Sequence, residues 1–141
     1  MFRRSLVLAS FAVMFAGAAS AATVKFNATL SAASEVPPTK STGSGEATAS
    51  LNTVTHELTY DVTFTGFTSA VTAAHIHGPA APGKNAGVMV PLGNNPTSPI
   101  KGTKKLTTEQ QEHLTAGMTY VNVHTKNNPS GAIRGQLMEV K

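Results

Sequence analysis

The sequence predicts an all-β fold, a single β-sandwich assembled from short strands, and three observations carry that reading. Apolar and polar residues alternate over residues 23–30, with Val24, Phe26, Ala28 and Leu30 set against Lys25, Asn27 and Thr29. That is the period of a strand buried on one face. The alternation returns at residues 46–51 and again through Leu58, Tyr60, Val62 and Phe64, with turn residues between, which is the spacing of a meander. Composition agrees: the chain is rich in Thr, Val, Ala and Gly and only 13% of it is charged, as many short strands joined by tight turns require.

The first 21 residues stand apart. Arg3 and Arg4 supply a basic start, residues 6–19 an apolar run, and Ala19-Ser20-Ala21 a small-residue cleavage site. Residues 1–21 are therefore expected to be a secretory signal peptide, removed to leave residues 22–141 as one domain in the periplasm or outside the cell. The apolar run is too short and too alanine-rich for a preferred membrane span, so no span is expected after cleavage. The remaining 120 residues suffice for one core and hardly for two.

After the first strand, Glu35-Val36-Pro37-Pro38 cannot lie inside a sheet, because two prolines remove two donors. Gly43-Ser44-Gly45 is a turn, and residues 52–56 form a hairpin tip. Residues 71–77 form a strand that ends at Gly78-Pro79, followed by a loop at 80–86. Residues 88–92 form a short strand that Pro91 assigns to a sheet edge. Residues 93–105, with Asn94, Asn95, Pro96, Pro99 and Gly102, are expected to be the least ordered loop. Thr107-Thr108-Glu109-Gln110 has capping-box spacing and opens one short helix of two turns that runs to Leu114. Residues 118–125 and 133–140 are the last strands, with a turn at 126–131.

Charge and cysteine usage exclude several classes. Setting aside Arg3 and Arg4, nine basic groups face seven acidic ones, a balance of +2 with no basic cluster, so nucleic acid is not an expected partner. The absence of cysteine excludes disulfides and thiolate metal sites. No Ser/His/Asp arrangement, P-loop or dinucleotide fingerprint is present, and the carboxylates are too scattered to suggest the paired acids of glycoside hydrolysis.

The chemistry concentrates in two stretches. In Ala74-His75-Ile76-His77-Gly78-Pro79 the two histidines share one face of an extended strand and Ile76 takes the other. In Tyr120-Val121-Asn122-Val123-His124-Thr125, Val121 and Val123 share one face and Tyr120, Asn122 and His124 the opposite one. If the two strands are neighbours, His75, His77 and His124 converge while the aliphatic residues fill a core. Three neutral imidazoles suit a divalent metal and leave one coordination position open. The affinity order favours copper, with zinc second. The plainer reading is that His75 and His77 are ordinary exposed strand residues, or help bind a loop by hydrogen bonds. His56, at a hairpin tip, and His113, on a surface helix, read as solvated. A fourth ligand, if needed, is first a water, then His113 or Glu35. Tyr120 and Asn122 share the face of His124 and can orient the imidazoles.

The chain resembles the CHRD domain, the module named after chordin and common as a stand-alone secreted bacterial protein. The resemblance is carried by Phe26-Asn27-Ala28-Thr29-Leu30, Glu35-Val36-Pro37-Pro38, Leu58-Thr59-Tyr60, the two histidine stretches, and Asn128-Pro129-Ser130-Gly131-Ala132-Ile133-Arg134-Gly135-Gln136-Leu137. Ala132 departs from it, since the family usually carries Glu there. In chordin such modules belong to an extracellular protein that binds growth factors, so the resemblance also implies a non-catalytic module with an extracellular or periplasmic protein partner.

A more distant likeness is to copper-zinc superoxide dismutases. They place a His-x-His pair on one strand of a Greek-key β-barrel, a third copper-binding His late in the chain and an anion-steering Arg near the end. His75, His77, His124 and Arg134 are similar in order. The chain lacks a recognisable zinc loop, a disulfide pair and a histidine to bridge the two metals. The likeness therefore implies copper binding more than dismutation. Were the protein an enzyme, a superoxide dismutase-like reaction is the one it names. Together these likenesses imply a Greek-key β-sandwich or barrel, superoxide dismutase-like or Ig-like. Arg134 has two readings: an ion pair with Glu35 that pins the Pro-Pro segment, which is preferred, or an anion guide at the open metal position.

Overall fold

The computed structural model describes Gly17 and residues 22–141, so the expected signal peptide at 1–21 lies, apart from Gly17, outside the described residues. Strict alternation becomes an antiparallel meander of β1 (Thr23–Ser31), β2 (Ser44–Asn52) and β3 (Glu57–Thr65). Each strand turns its apolar set inward: Phe26, Leu30, Leu51, Leu58 and Val62 are all buried, whereas Lys25, Asn27, Thr48 and Thr59 are exposed. A single 3-10 turn at Ala32–Ser34 leads into the Glu35–Pro38 segment, which stays outside the strands as its prolines require.

The remaining elements are β4 (Val71–His77), β5 (Val88–Asn94), β6 (Ile100–Lys105), α1 (Thr108–Thr115), β7 (Tyr120–Thr125), β8 (Ile133–Gln136) and β9 (Met138–Glu139). The strands pair in the order β5-β4-β7-β8-β1-β2-β3-β6, with β9 beside β1. The two ends of that path, β5 and β6, lie close to each other, so the sheet curls into a nearly closed barrel. Consecutive strands β4, β5 and β6 are flanked by β3 beside β6 and β7 beside β4. Both flanking connections cross a barrel end, which is Greek-key topology. The interior is filled by one apolar cluster that includes Phe26, Leu30, Leu58, Ile76, Val121, Val123 and Ile133.

Three expectations are corrected. Ser44 and Gly45 are not part of a turn but open β2, opposite Ser31 and Leu30. Residues 93–105 are not one loose loop: residues 93–94 finish β5 and 100–105 form β6, which pairs with β3 from Ile100 opposite Val62 to Lys105 opposite Glu57. Ile100 is the reason, because it enters the core and draws the following residues into the ladder. Gly102 lies opposite Tyr60, whose ring occupies the space a side chain there would need. The last strand is also split, because buried Leu137 leaves the pairing between β8 and β9 and donates its N–H to Thr119 O at 3.0 Å.

The edge position of Pro91, in a terminal strand of the path, agrees with its missing donor. Helix α1 opens with the expected reciprocal cap between Thr107 and Gln110 and anchors through Leu114. Among the described residues no helix is long and apolar enough to cross a membrane.

Candidate metal centre

β4 and β7 are antiparallel neighbours, with His75 opposite Asn122, His77 opposite Tyr120 and Ala73 opposite His124. Ile76, Val121 and Val123 are at most 1% exposed in the core, and period-two alternation therefore sends the histidines to the outer face. There His75, His77 and His124 meet, with one ligand atom of each lying within 4.8 Å of the others. His75 and His124 are half-buried and His77 is buried. β4 carries register irregularities against β5 on either side of the His75–Ile76 pair, the kind of bulge that re-aims side chains next to sites.

The hydrogen bonds define which nitrogens face one another. His124 Nδ1 donates to Pro129 O at 2.8 Å, which leaves the Nε2 lone pair directed at His75 Nδ1, 3.0 Å away. His75 therefore carries its proton on Nδ1 and donates it to His124. His77 Nδ1 lies 2.9 Å from Ala86 O and its Nε2 lies 2.9 Å from Asn122 Oδ1. Two oxygens thus compete for the single proton of a neutral ring. With the proton on Nδ1, Nε2 keeps its lone pair; with the proton on Nε2, it is donated to Asn122 Oδ1.

Burial holds the pKa of His75 below the usual histidine range, with the charges of His124 and His77 acting in the same direction. Burial also lowers that of His77, against the bonds to Ala86 and Asn122 that favour its charged form. Both rings are thereby biased to the neutral form that a ligand needs.

Around the rings stands a stacked column. Tyr120 lies parallel to His77, with centroids 4.9 Å and planes 4° apart, and Arg134 places Cζ 3.4 Å from the Tyr120 centroid. Arg134 donates through Nη1 to Asn85 Oδ1 at 2.8 Å and through Nη2 to Lys84 O at 2.5 Å. The expected ion pair with Glu35 is not made: among the described residues, ion pairs join Lys101 to Asp61 and His113 to Glu109. Asn85 Oδ1 and Lys84 O take the guanidinium's hydrogen bonds instead, and Glu35 feels its charge electrostatically. These bonds turn one N–H of each Nη group to the loop.

Glu35 is 6% exposed, and its Oε1 has no hydrogen-bond partner. Burial pushes its pKa up to about 7, with Arg134, Asn122 and the Val36 backbone opposing. Its carboxyl group and the Asn122 amide crowd the backbone of Gly131, where a Cβ would come within 2.7 Å of Asn122 Nδ2 and closer still to Glu35 Oε1.

Residues 26–137 match the CHRD domain family. The chain belongs to that family. No curated protein matches it. The CHRD match runs from within β1 to Leu137 and so contains all three histidines together with Glu35, Tyr120, Asn122 and Arg134.

The two remaining histidines of this CHRD domain stay outside the cluster. His113 Nε2 lies 3.5 Å from Glu109 Oε1 on α1, and His56 sits in the β2–β3 turn with a φ of 62°. Sequence reading missed Ala86 and Pro129, whose carbonyls orient His77 and His124, and Asn85, which receives Arg134. The first two act through backbone atoms and carry no side-chain signal. Asn85 looks like any turn residue until Arg134 is seen beside it.

The donor set fits a metal ion of borderline softness. In a tetrahedral site, bonds of about 2.1 Å put the donor atoms roughly 3.4 Å apart, so the closest pair is already in range and the widest must draw in by about 1.4 Å. A side-chain torsion supplies such a shift at modest cost.

Proposed function

We propose that this CHRD domain is an exported metal-binding protein that holds copper through the imidazoles of His75, His77 and His124, in metal handling or a simple redox role. The observation that carries the reading is the convergence of three rings from two strands, with ligand atoms within 4.8 Å of one another. Three uncharged nitrogen donors suit copper first and zinc second. A bound copper ion would supply a redox-active centre with one position left for water or an exchanging ligand. The export half of the proposal rests on residues 1–21, and it places the protein in the periplasm or outside the cell.

The test is a titration of untagged protein with Cu(II) beside the double variant His75→Ala/His77→Ala. One ion per chain in the wild type and loss of that binding in the variant is the expected result; equal uptake by both ends the reading. Superoxide dismutase-like chemistry gains no support from Arg134, because its Nη groups are held by Asn85 and Lys84 O.

Membership of the CHRD family favours a second reading, a non-catalytic module whose loops dock an extracellular or periplasmic protein. Residues 80–86, exposed except for Ala80 and Ala86, are the surface it would use. That reading expects partner binding to survive chelation, and loss of the partner on metal removal would exclude it.

A further inference from the structure

We infer that Arg134 is a positioning residue for the histidine cluster: it clamps residues 84–86 over Tyr120, and the clamp decides which ring nitrogen of His77 carries the proton and which keeps its lone pair. The consequence for metal rests on the reading proposed above, whereas the clamp itself does not.

Arg134 is only 2% exposed, and a cation so placed must be compensated. The strand order β4-β7-β8 puts Tyr120 between His77 and Arg134, so the phenol ring is stacked on the imidazole on one side and on the guanidinium on the other. The guanidinium fork then reaches past the ring to Asn85 Oδ1 and Lys84 O. Asn85 passes the tie on, donating Nδ2 to Val36 O at 2.9 Å. The next residue, Ala86, donates its N–H to Tyr120 Oη at 3.1 Å and offers its carbonyl to His77 Nδ1.

That last contact is the one with chemical consequence. Asn122 Oδ1 and Ala86 O stand equally far from the two nitrogens of His77, at 2.9 Å each. If Ala86 wins the proton, Nε2 keeps a lone pair. If the loop lifts, Asn122 holds the proton on Nε2, and the nitrogen that faces away from the loop is blocked. Asn122 is fixed on a strand and the Ala86 carbonyl rides on a loop, so the outcome depends on what pins the loop. Lysine cannot replace Arg134 here, since it lacks both the planar face that stacks on Tyr120 and the fork that spans two acceptors.

The experiment uses metal-free protein labelled with ¹⁵N-histidine, at a pH above the histidine range, to read the tautomer of His77 from long-range proton–nitrogen correlations. It compares the wild type with Arg134→Lys and Asn85→Ala, and measures Cu(II) affinity for all three. Asn85 is exposed, so its variant keeps the fold even if the buried Arg134→Lys does not.

The wild type is expected to show His77 protonated on Nδ1. Both variants are expected to shift toward the Nε2–H form, with Cu(II) affinity reduced roughly 10–100-fold, as loss of an outer-shell partner typically brings. An unmoved tautomer in folded Asn85→Ala overturns the clamp. A shifted tautomer with unchanged affinity overturns the assignment of the free nitrogen. Should the wild type bind no Cu(II), the metal reading fails by itself, and the tautomer shift alone decides the clamp.

Discussion

His75 Nδ1 and His124 Nε2 lie 3.0 Å apart, joined by a hydrogen bond that a shared metal ion would have to replace. The proton on His75 Nδ1 needs only to move to the other nitrogen of the same ring, so metal uptake at this pair requires a change of tautomer and no net proton loss. His124 is already set, because Pro129 O holds its proton on Nδ1.

Removing His124 therefore separates the two roles of the pair. His124→Ala deletes a half-buried ring and hydrogen bonds whose net worth is about 1 kcal/mol each. A stability loss of ~1–2 kcal/mol in urea unfolding is expected, with the fold retained and Cu(II) binding abolished or strongly weakened. Undiminished copper affinity in this variant would remove His124 from the ligand set.

Stability should also carry the mark of Glu35. Its pKa rises from 4.5 to about 7 on folding, so between those values the native protein holds a proton that the unfolded chain has released. Stability from this group falls as pH rises through that window, by at most about 1.4 kcal/mol per pH unit, and is level above it. His75 and His77 act in the opposite direction. Their pKa values are lowered from 6.5, so their contribution is complete above 6.5 and is lost as pH falls. Urea unfolding from pH 5 to 8 should show Glu35→Gln rising more steeply than wild type up to the histidine range and then staying flat. Superimposable profiles would mean that Glu35 does not titrate in this way.

How far the site could be read in advance follows from which atoms build it. The convergence of His75, His77 and His124 was legible because alternation is local: Ile76, Val121 and Val123 had to go inward, and the rings were left on the other face. That β4 and β7 are neighbours was the non-local step, and only the topology supplies it. β6 was misread because turn-rich residues before it masked the pull of Ile100 toward Val62. The partner of Arg134 was misread for a similar reason. A charge rule selects Glu35, but the loop brings Asn85 Oδ1 and the Lys84 carbonyl to the guanidinium.

Gly131 gives a direct probe of the crevice shared by Glu35 and Asn122. Its φ of 130° disfavours any side chain, and a Cβ would press on both polar groups. Gly131→Ala is expected to cost ~1–3 kcal/mol in urea unfolding, the range for a side chain forced into such backbone geometry. By displacing Asn122 it should also weaken copper binding. A neutral effect on stability would show that the crevice opens freely.

Core and cluster should respond separately if the barrel holds the rings from behind and does nothing else. Ile76 lies between His75 and His77 in sequence and is 1% exposed on the opposite face. Ile76→Val trims one methylene and keeps the β-branched shape, so it is expected to lose ~0.5–1.5 kcal/mol while the outer face stays in place. A ligand that binds only the native state adds RT ln(1 + [L]/Kd) to stability, a term set by the site and not by the core. The Cu(II)-induced rise in melting temperature should therefore be nearly the same in Ile76→Val as in wild type, and nearly absent in His77→Ala. A rise that shrinks in Ile76→Val as well would show that the packing behind β4 sets the spacing of the ligands, and that strand geometry alone does not.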